Sequence, residues 1–118
     1  MPKKVMIVDD DRTMNSLLKT LLELDGFSVV LAPHGELVLP AALSEKPDAV
    51  LMDVHIADAD GMDLLRQIRL HPLLARLPVI MCSGMDMEHE CRKLGANAFI
   101  LKPYPPEQLS STLKKVML

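Results

Sequence analysis

In the stretch VMIVDDDRTM, residues 5–14, four apolar residues run straight into three aspartates. Four successive apolar residues are typical of a short strand that is buried on both faces, as in a parallel sheet. Asp9, Asp10 and Asp11 then stand side by side at the end of this strand, where their charges repel one another. The stretch therefore predicts a parallel sheet whose edge carries a site for a cation.

Four more apolar runs of the same kind recur along the chain: SVVL (28–31), AVLM (49–52), VIMC (79–82) and AFIL (98–101). Segments with helical spacing lie between them, and the first makes an apolar stripe of Met14, Leu17, Leu18, Leu21 and Leu22. A strand–helix pair repeated five times predicts an α/β fold, a doubly wound five-stranded parallel sheet with helices on both faces. The second helix is the weakest, because Pro40 should cut or kink it unless it falls in the first turn.

Length and composition exclude several classes of protein. The 118 residues fit one domain, 1–118, and leave no room for a second. The net charge is −3, and one Tyr, no Trp and no Lys/Arg run argue against a nucleic-acid surface. Cys82 and Cys91 lack CxxC spacing and are expected to be reduced thiols. The sequence contains no signal peptide and no apolar run of membrane-spanning length, so we expect a soluble, cytoplasmic protein that is not inserted in a membrane.

Polar side chains follow four of the five predicted strands. Asp9 and Asp10 follow the first strand, Asp53 the third, Ser83 the fourth and Lys102 the fifth. Ligands of open parallel sheets bind at the carboxyl ends of the strands, so these groups are expected to converge. Clustered carboxylates favour Mg²⁺, while an ammonium and a hydroxyl suit phosphoryl oxygens. The set predicts Mg²⁺-assisted phosphoryl transfer, in which a carboxylate can be the nucleophile.

One interpretation of these aspartates is a hydrolase. The stretch IVDDDRT is similar to the first motif of haloacid dehalogenase-type phosphatases, and that resemblance would make Asp9 the nucleophile and Asp11 the general acid/base. VIMCS and Lys102 would stand for the second and third motifs. The family needs a further acidic pair after the lysine, where this chain has only Glu107. The interpretation also leaves Asp53 without a role.

The other interpretation covers essentially the whole chain, which resembles the receiver domain of two-component response regulators, the CheY-like proteins. The resemblance is carried by four motifs: IVDDD (7–11), LMDVHIADADGMDLL (51–65), PVIMCSG (78–84) and GANAFILKPY (95–104). It implies a flavodoxin-like sheet with the strand order 2-1-3-4-5. On this interpretation Asp11, directly before Arg12, does no chemistry and caps the first helix.

The resemblance also assigns roles to the site residues. It implies that Asp53 accepts the phosphoryl group and that Ser83 and Lys102 assist the transfer. It implies Mg²⁺ as the cofactor, held by Asp10, Asp53 and the main-chain carbonyl of His55, with Asp9 acting through water. Ser83 and the aromatic three residues before the lysine, Phe99, would form the switch.

Partners follow from the same resemblance. The phosphoryl group would come from a phosphohistidine on a histidine kinase or phosphotransfer protein. Phosphorylation would change the face formed by the fourth helix, the fifth strand and the fifth helix, which would bind a downstream effector domain or protein. The chain would be a monomer or a phosphorylation-dependent dimer. It would be no enzyme, although it would assist its own phosphorylation and dephosphorylation. A third class remains open, a phosphate-independent interaction module on the same fold.

The chain departs from the receiver pattern at three places. Ile56 and Ala57 stand where the family usually has Met-Pro, which should loosen the turn beside the site. Gly84 follows Ser83 where the family usually has Ala, which adds backbone freedom. Only eighteen residues separate Ser83 from Lys102, so the fourth helix is expected to be short.

Overall fold

The structure, a computed structural model, describes residues 2–117, and the predicted domain bounds at Met1 and Leu118 lie outside them. Five strands form the main sheet: β1 (Lys4–Val8), β2 (Ser28–Leu31), β3 (Ala49–Asp53), β4 (Val79–Ser83) and β5 (Ala98–Leu101). Five helices connect and follow them: α1 (Arg12–Leu24), α2 (Val38–Glu45), α3 (Gly61–Leu70), α4 (Glu88–Lys93) and α5 (Pro106–Val116). A 3-10 turn (Gly35–Leu37) precedes α2, and a two-residue hairpin (His55–Ile56 with Ala59–Asp60) follows β3.

All five strands run parallel in the order β2-β1-β3-β4-β5, which confirms the predicted order and fold class. The chain moves from β1 to β2 on one side and then crosses to β3 on the other. The order therefore reverses between β1 and β3, and ligands of such sheets bind in the crevice at this switch point. Asp9 directly follows β1, and Asp53 is the last residue of β3.

The apolar runs are continuous because each face of the sheet is covered by helices. Along β1, Val5 and Ile7 belong to a core cluster that includes Leu18 and Leu22 of α1 and Leu109 and Leu113 of α5. Met6 and Val8 face the opposite cluster, built with side chains of α2, α3 and α4. Burial on both faces removes the polar alternation that a half-exposed strand would show.

Helix α1 differs from the sequence expectation in how it uses its apolar stripe. Leu18 and Leu22 are buried together with Asn15, whereas Met14 and Leu17 are 40% and 50% exposed. The stripe is wider than the surface that the sheet can cover, so its outer half faces solvent. Leu18 and Leu22 thus belong to the core, Met14 and Leu17 form the exposed outer half of the stripe, and Leu21 is partly buried between them.

The ends of the helices agree with the local sequence. Oδ1 of Asp11 accepts a hydrogen bond from the Met14 N–H at 3.0 Å, which confirms Asp11 as the N-cap of α1. Pro40 lies in the first turn of α2, where its missing N–H breaks no helical hydrogen bond. Helix α4 has only six residues, as the short segment between Ser83 and Lys102 predicted. Within residues 2–117, no helix has the length and apolar character needed to cross a bilayer.

Candidate functional site

A lysine joins two carboxylates at the switch point of the sheet. Nζ of Lys102 donates a hydrogen bond to Oδ2 of Asp53 at 2.6 Å and to Oδ2 of Asp9 at 3.1 Å. Lys102 follows the edge strand β5, and its main-chain N–H donates to the carbonyl of Ser83 at 2.8 Å. Because β4 separates β5 from β3, only a long side chain can reach Asp53 from this position. The structure thus brings together residues 9, 53 and 102, which lie far apart in sequence.

Electrostatics keep Lys102 charged. Partial burial by itself lowers the pKa of Lys102, but the hydrogen bond to Asp53 and the nearby negative charge, including that of Asp9, outweigh burial. The net result is a Lys102 pKa above its ordinary value, so the ammonium is present throughout the neutral range. A fixed cation beside Asp53 is suited to an incoming group that carries negative charge.

The three consecutive aspartates point to different partners, which relieves their mutual repulsion. Asp9 is 6% exposed and faces Lys102, and its Oδ1 also accepts from the Asp11 N–H at 3.0 Å. Asp10 is exposed, and its Oδ2 accepts from the Ala57 N–H at 3.0 Å. Asp11 caps α1. One charge is therefore paired with a lysine, one faces the loop after β3, and one faces a helix N-terminus.

Asp53 is held in one orientation by the start of the hairpin after β3. Its Oδ1 accepts from the His55 N–H at 3.0 Å, and its Oδ2 is the oxygen that contacts Lys102. A Cβ on Gly61 would overlap the main-chain oxygen of Asp53, so only glycine fits at the start of α3. Sequence reasoning assigned Gly61 no role beyond its place in the motif 51–65, because this close approach depends on how the hairpin folds back.

Ser83 and Phe99 lie on β4 and β5, the next two strands of the sheet beyond that of Asp53, and, within residues 2–117, form no side-chain hydrogen bond with it. Ser83 is the fully buried last residue of β4, and its Oγ accepts from the Met85 N–H at 3.1 Å. Phe99 lies inside β5, where it is half-buried against the core cluster on the α4 side of the sheet. The side chain of His55 is exposed. The structure therefore joins Asp9, Asp53 and Lys102 by hydrogen bonds, and Phe99 is not part of this group.

The donors at this edge fit Mg²⁺ in chemical type. Across residues 2–117, no three His, Cys, Asp or Glu side chains are arranged to hold a metal ion alone. Mg²⁺ does not need such a cage, since it takes one or two carboxylates and completes its shell with water and other oxygens. Asp10 and Asp53 supply carboxylate oxygens, and the main-chain carbonyl of His55 lies two residues after Asp53 in the loop. These residues could hold the ion, with Asp9 close enough in sequence to act through water.

The two cysteines take no part in this arrangement. Cys82 and Cys91 are free thiols, as the sequence predicted, and both are buried. Burial raises the pKa of Cys82 to about 12, and burial likewise raises the pKa of Cys91. Both thiols therefore stay protonated and unreactive at neutral pH.

One polar residue near the site was not singled out from the sequence. Asn15 is 3% exposed, and its Nδ2 donates to the main-chain oxygen of Asp9 at 2.7 Å. Its position in the inward line of α1, three and seven residues before Leu18 and Leu22, would have predicted an apolar side chain. A polar residue in that line is the signal that sequence reasoning could have used.

Comparison with known protein families gives a consistent result. Residues 5–114 match the family model of the response regulator receiver domain. The alkaline phosphatase synthesis transcriptional regulatory protein PhoP of Bacillus subtilis (strain 168) is 32% identical over 120 residues, which cover 99% of this chain and 49% of that protein. The transcriptional regulatory protein CpxR of Escherichia coli (strain K12) is 34% identical over 117 residues, which cover 97% of this chain and 49% of that protein. The chain thus spans about half the length of the curated relatives it matches.

Solved structures with the same fold cover almost the entire chain. A putative response regulator from Chloroflexus aurantiacus has a TM-score of 0.93 at 32% identity, with 99% of this chain and 98% of that chain covered. The chemotaxis response regulator CheY4 of Vibrio cholerae has a TM-score of 0.91 at 25% identity, with 98% and 99% covered.

Proposed function

The chain belongs to the response regulator receiver domain family, whose members are phosphorylation-dependent switches of two-component systems, and from this premise we propose that Asp53 is its phosphoacceptor. The observation that carries the proposal is the contact of Lys102 with both Asp53 and Asp9 at the switch point of the sheet. A partly shielded carboxylate beside a fixed cation is a suitable acceptor for a phosphoryl group.

In the proposed reaction, an oxygen of Asp53 attacks the phosphorus of a phosphohistidine. A P–O bond forms to Asp53 while the P–N bond breaks, and the histidine ring of the partner keeps the electron pair of the broken bond. Asp10, Asp53 and the carbonyl of His55 would hold Mg²⁺, with Asp9 acting through water. The bound ion supplies positive charge against the phosphoryl oxygens.

Lys102 and Ser83 respond to the new group. Lys102 exchanges the Asp53 oxygen for a phosphoryl oxygen and keeps its contact with Asp9, so its ammonium stays paired in both states. The Ser83 hydroxyl now accepts from the Met85 N–H, which leaves its proton free to be donated to a phosphoryl oxygen. Movement of Ser83 and then Phe99 would change the surface formed by α4, β5 and α5, the output surface.

The outer half of the α1 stripe is the surface that fits a phosphohistidine donor. Met14 and Leu17 of the stripe are 40% and 50% exposed, and Leu24, which continues it at the end of α1, is 81% exposed. With Leu21 these residues repeat at intervals of three and four residues. This spacing suits packing against a partner helix. The stripe starts beside the site, where Met14 and Leu17 line a groove together with Lys102 and Tyr104. We infer that a helix of a histidine kinase or phosphotransfer protein packs along α1.

The remaining expectations belong to the same proposal. Residues 1–118 act as one receiver unit, as a monomer or a phosphorylation-dependent dimer in the cytoplasm, and the output surface binds an effector domain or protein. The chain assists its own phosphorylation and dephosphorylation rather than turning over a separate substrate.

The phosphatase and the phosphate-independent module are not favoured. The family match points to a receiver. The contact between Lys102 and Asp53 supports a role for Asp53, which the phosphatase interpretation leaves without one.

Intact-mass measurement after incubation with acetyl phosphate tests the proposal. The wild type should gain one phosphoryl group in the presence of Mg²⁺ and none without it, and Asp53→Asn should gain none. Asp63→Asn, which changes an exposed aspartate of α3, is the matched control and should behave as the wild type. Phosphate release that survives Asp53→Asn would return the assignment to Asp9, and no reaction at all would leave an interaction module.

A further inference from the structure

A buried amide lies where α1 should present an apolar side chain. The inward line of α1 consists of Asn15, Leu18 and Leu22. Within residues 2–117, Asn15 is one of only three buried polar or charged residues, and the other two, Asp9 and Ser83, belong to the proposed site.

The amide is bonded to the backbone of the aspartate turn. The side-chain Nδ2 of Asn15 donates to the main-chain oxygen of Asp9 at 2.7 Å. The main-chain N–H of Asn15 donates to the main-chain oxygen of Asp11 at 2.9 Å. Asp11 in turn donates its N–H to Oδ1 of Asp9. Asp9 and Asp11, the two neighbours of Asp10, are therefore both held by hydrogen bonds, while the side chain of Asp10 stays exposed.

Stability alone does not account for this amide. Oδ1 of Asn15 is buried and has no hydrogen-bond partner in the described part of the chain. An unpaired buried acceptor is unfavourable compared with an apolar group of similar size. A leucine, as at the next two inward positions, would remove that unpaired atom together with the bond to the Asp9 oxygen, so the contribution of the amide lies in that bond to the aspartate turn.

We propose that Asn15 is a positioning residue for Mg²⁺ binding by Asp10, an inference that rests on the function proposed above. The peptide unit that joins Asp9 to Asp10 is planar, so holding the oxygen of Asp9 also fixes the N–H and the Cα of Asp10. The carboxylate of Asp10 is then presented in one direction before the ion arrives. Such preorganisation lowers the entropy that ion binding must remove.

Isothermal titration of the purified chain with MgCl2 tests this role through binding rather than activity. Asn15→Leu should raise the Mg²⁺ Kd on the order of tenfold, as for other residues that orient metal ligands. Its thermal unfolding midpoint should stay close to that of the wild type, because the loss of the bond to the Asp9 oxygen is offset by the removal of the unpaired Oδ1. At saturating Mg²⁺ the rate of phosphorylation by acetyl phosphate should recover, since only the affinity is affected.

Thr20→Ala is the matched control, because Thr20 also donates from its side chain to a main-chain oxygen of α1, that of Ser16. It should leave the Kd unchanged. A folded Asn15→Leu with the wild-type Kd would overturn the proposal. If Asn15→Leu does not fold, the Mg²⁺ Kd of Asn15→Ala is measured in its place. If neither variant folds, Asn15 is a structural residue and the proposal is wrong. Failure of the wild type itself to bind Mg²⁺ would instead refute the proposed function. Asp10→Asn, which changes a proposed Mg²⁺ ligand, checks that function independently of Asn15.

Discussion

The main-chain N–H of Ala57 donates a hydrogen bond to Oδ2 of Asp10 at 3.0 Å, which ties the loop after β3 to the aspartates after β1. Receivers usually have proline at this position, and a proline has no N–H to donate. The loss of Met-Pro was expected to loosen the turn, but the turn gains a bond to Asp10 that the usual sequence could not form.

Replacing Ala57 with proline should therefore weaken Mg²⁺ binding. Ala57→Pro removes the donor that restrains Asp10, and we expect the Mg²⁺ Kd to rise by about fivefold, equivalent to about one neutral hydrogen bond. Calorimetric titration with MgCl2 measures the change. Ala57→Gly keeps the N–H and should bind as the wild type does. Equal Kd values for Ala57→Pro and the wild type would show that the bond does not orient Asp10.

Removing the ammonium at the centre of the site should lower both the free energy of unfolding and the extent of phosphorylation. Lys102→Met leaves the buried carboxylate of Asp9 without its cation, and we expect the free energy of unfolding to fall by about 2 kcal/mol. Phosphorylation by acetyl phosphate should become undetectable on the time scale of the wild type. Urea denaturation and intact mass measure the two effects. Lys19→Met, which removes an exposed ion pair with Glu23, should change neither.

The two glycines beside the site should respond differently to alanine. Gly61→Ala forces a Cβ against the carbonyl of Asp53, and we expect the free energy of unfolding to fall by about 3 kcal/mol. A Cβ at Gly84 meets nothing within 4 Å, so Gly84→Ala should raise the free energy of unfolding by about 0.5 kcal/mol. Urea denaturation distinguishes the two. A tolerated Gly61→Ala would mean that the hairpin can move away from Asp53.

Alkaline pH should destabilise the fold through Cys82. Burial raises the pKa of this thiol from 9.0 to about 12, so between these values the unfolded chain binds fewer protons than the folded chain. The contribution of this thiol to the free energy of unfolding is therefore fully present below pH 9. It falls as the pH rises, by about 1.4 kcal/mol per pH unit. Urea denaturation from pH 8 to 11 should show a smaller loss for Cys82→Ala than for the wild type. Tyr104, whose pKa burial also raises, adds to the loss in both proteins.

A charge on the outer stripe of α1 should separate the partner reaction from the chemistry. Leu17→Glu should slow phosphotransfer from a histidine kinase or phosphotransfer protein by about tenfold, because an apolar contact is lost. Phosphorylation by acetyl phosphate should not change. Leu70, at the far end of α3, is 79% exposed, and Leu70→Glu is the control. It should affect neither reaction. An equal effect of both substitutions would argue against α1 as the docking helix.

The five strands, the cap at Asp11 and the polar residues at the strand ends were predictable from the sequence, and the resemblance to receiver domains added the strand order. The strands and their parallel arrangement follow from local periodicity and from the rule that successive strand–helix units form a parallel sheet with one handedness. The cap at Asp11 and the place of Pro40 in the first turn of α2 are also local, because each depends on residues within one helical turn.

Which side-chain and main-chain groups are in contact depends on the tertiary structure alone. The reach of Lys102 across β4 to Asp53, the Ala57 bond to Asp10 and the fit of Gly61 against the β3 carbonyl all join segments that are distant in sequence or fold back on themselves. The same holds for α1, where the sheet covers Leu18 but leaves Leu17 exposed. Such contacts depend on distances of a few tenths of an ångström between packed segments, and no local pattern encodes them.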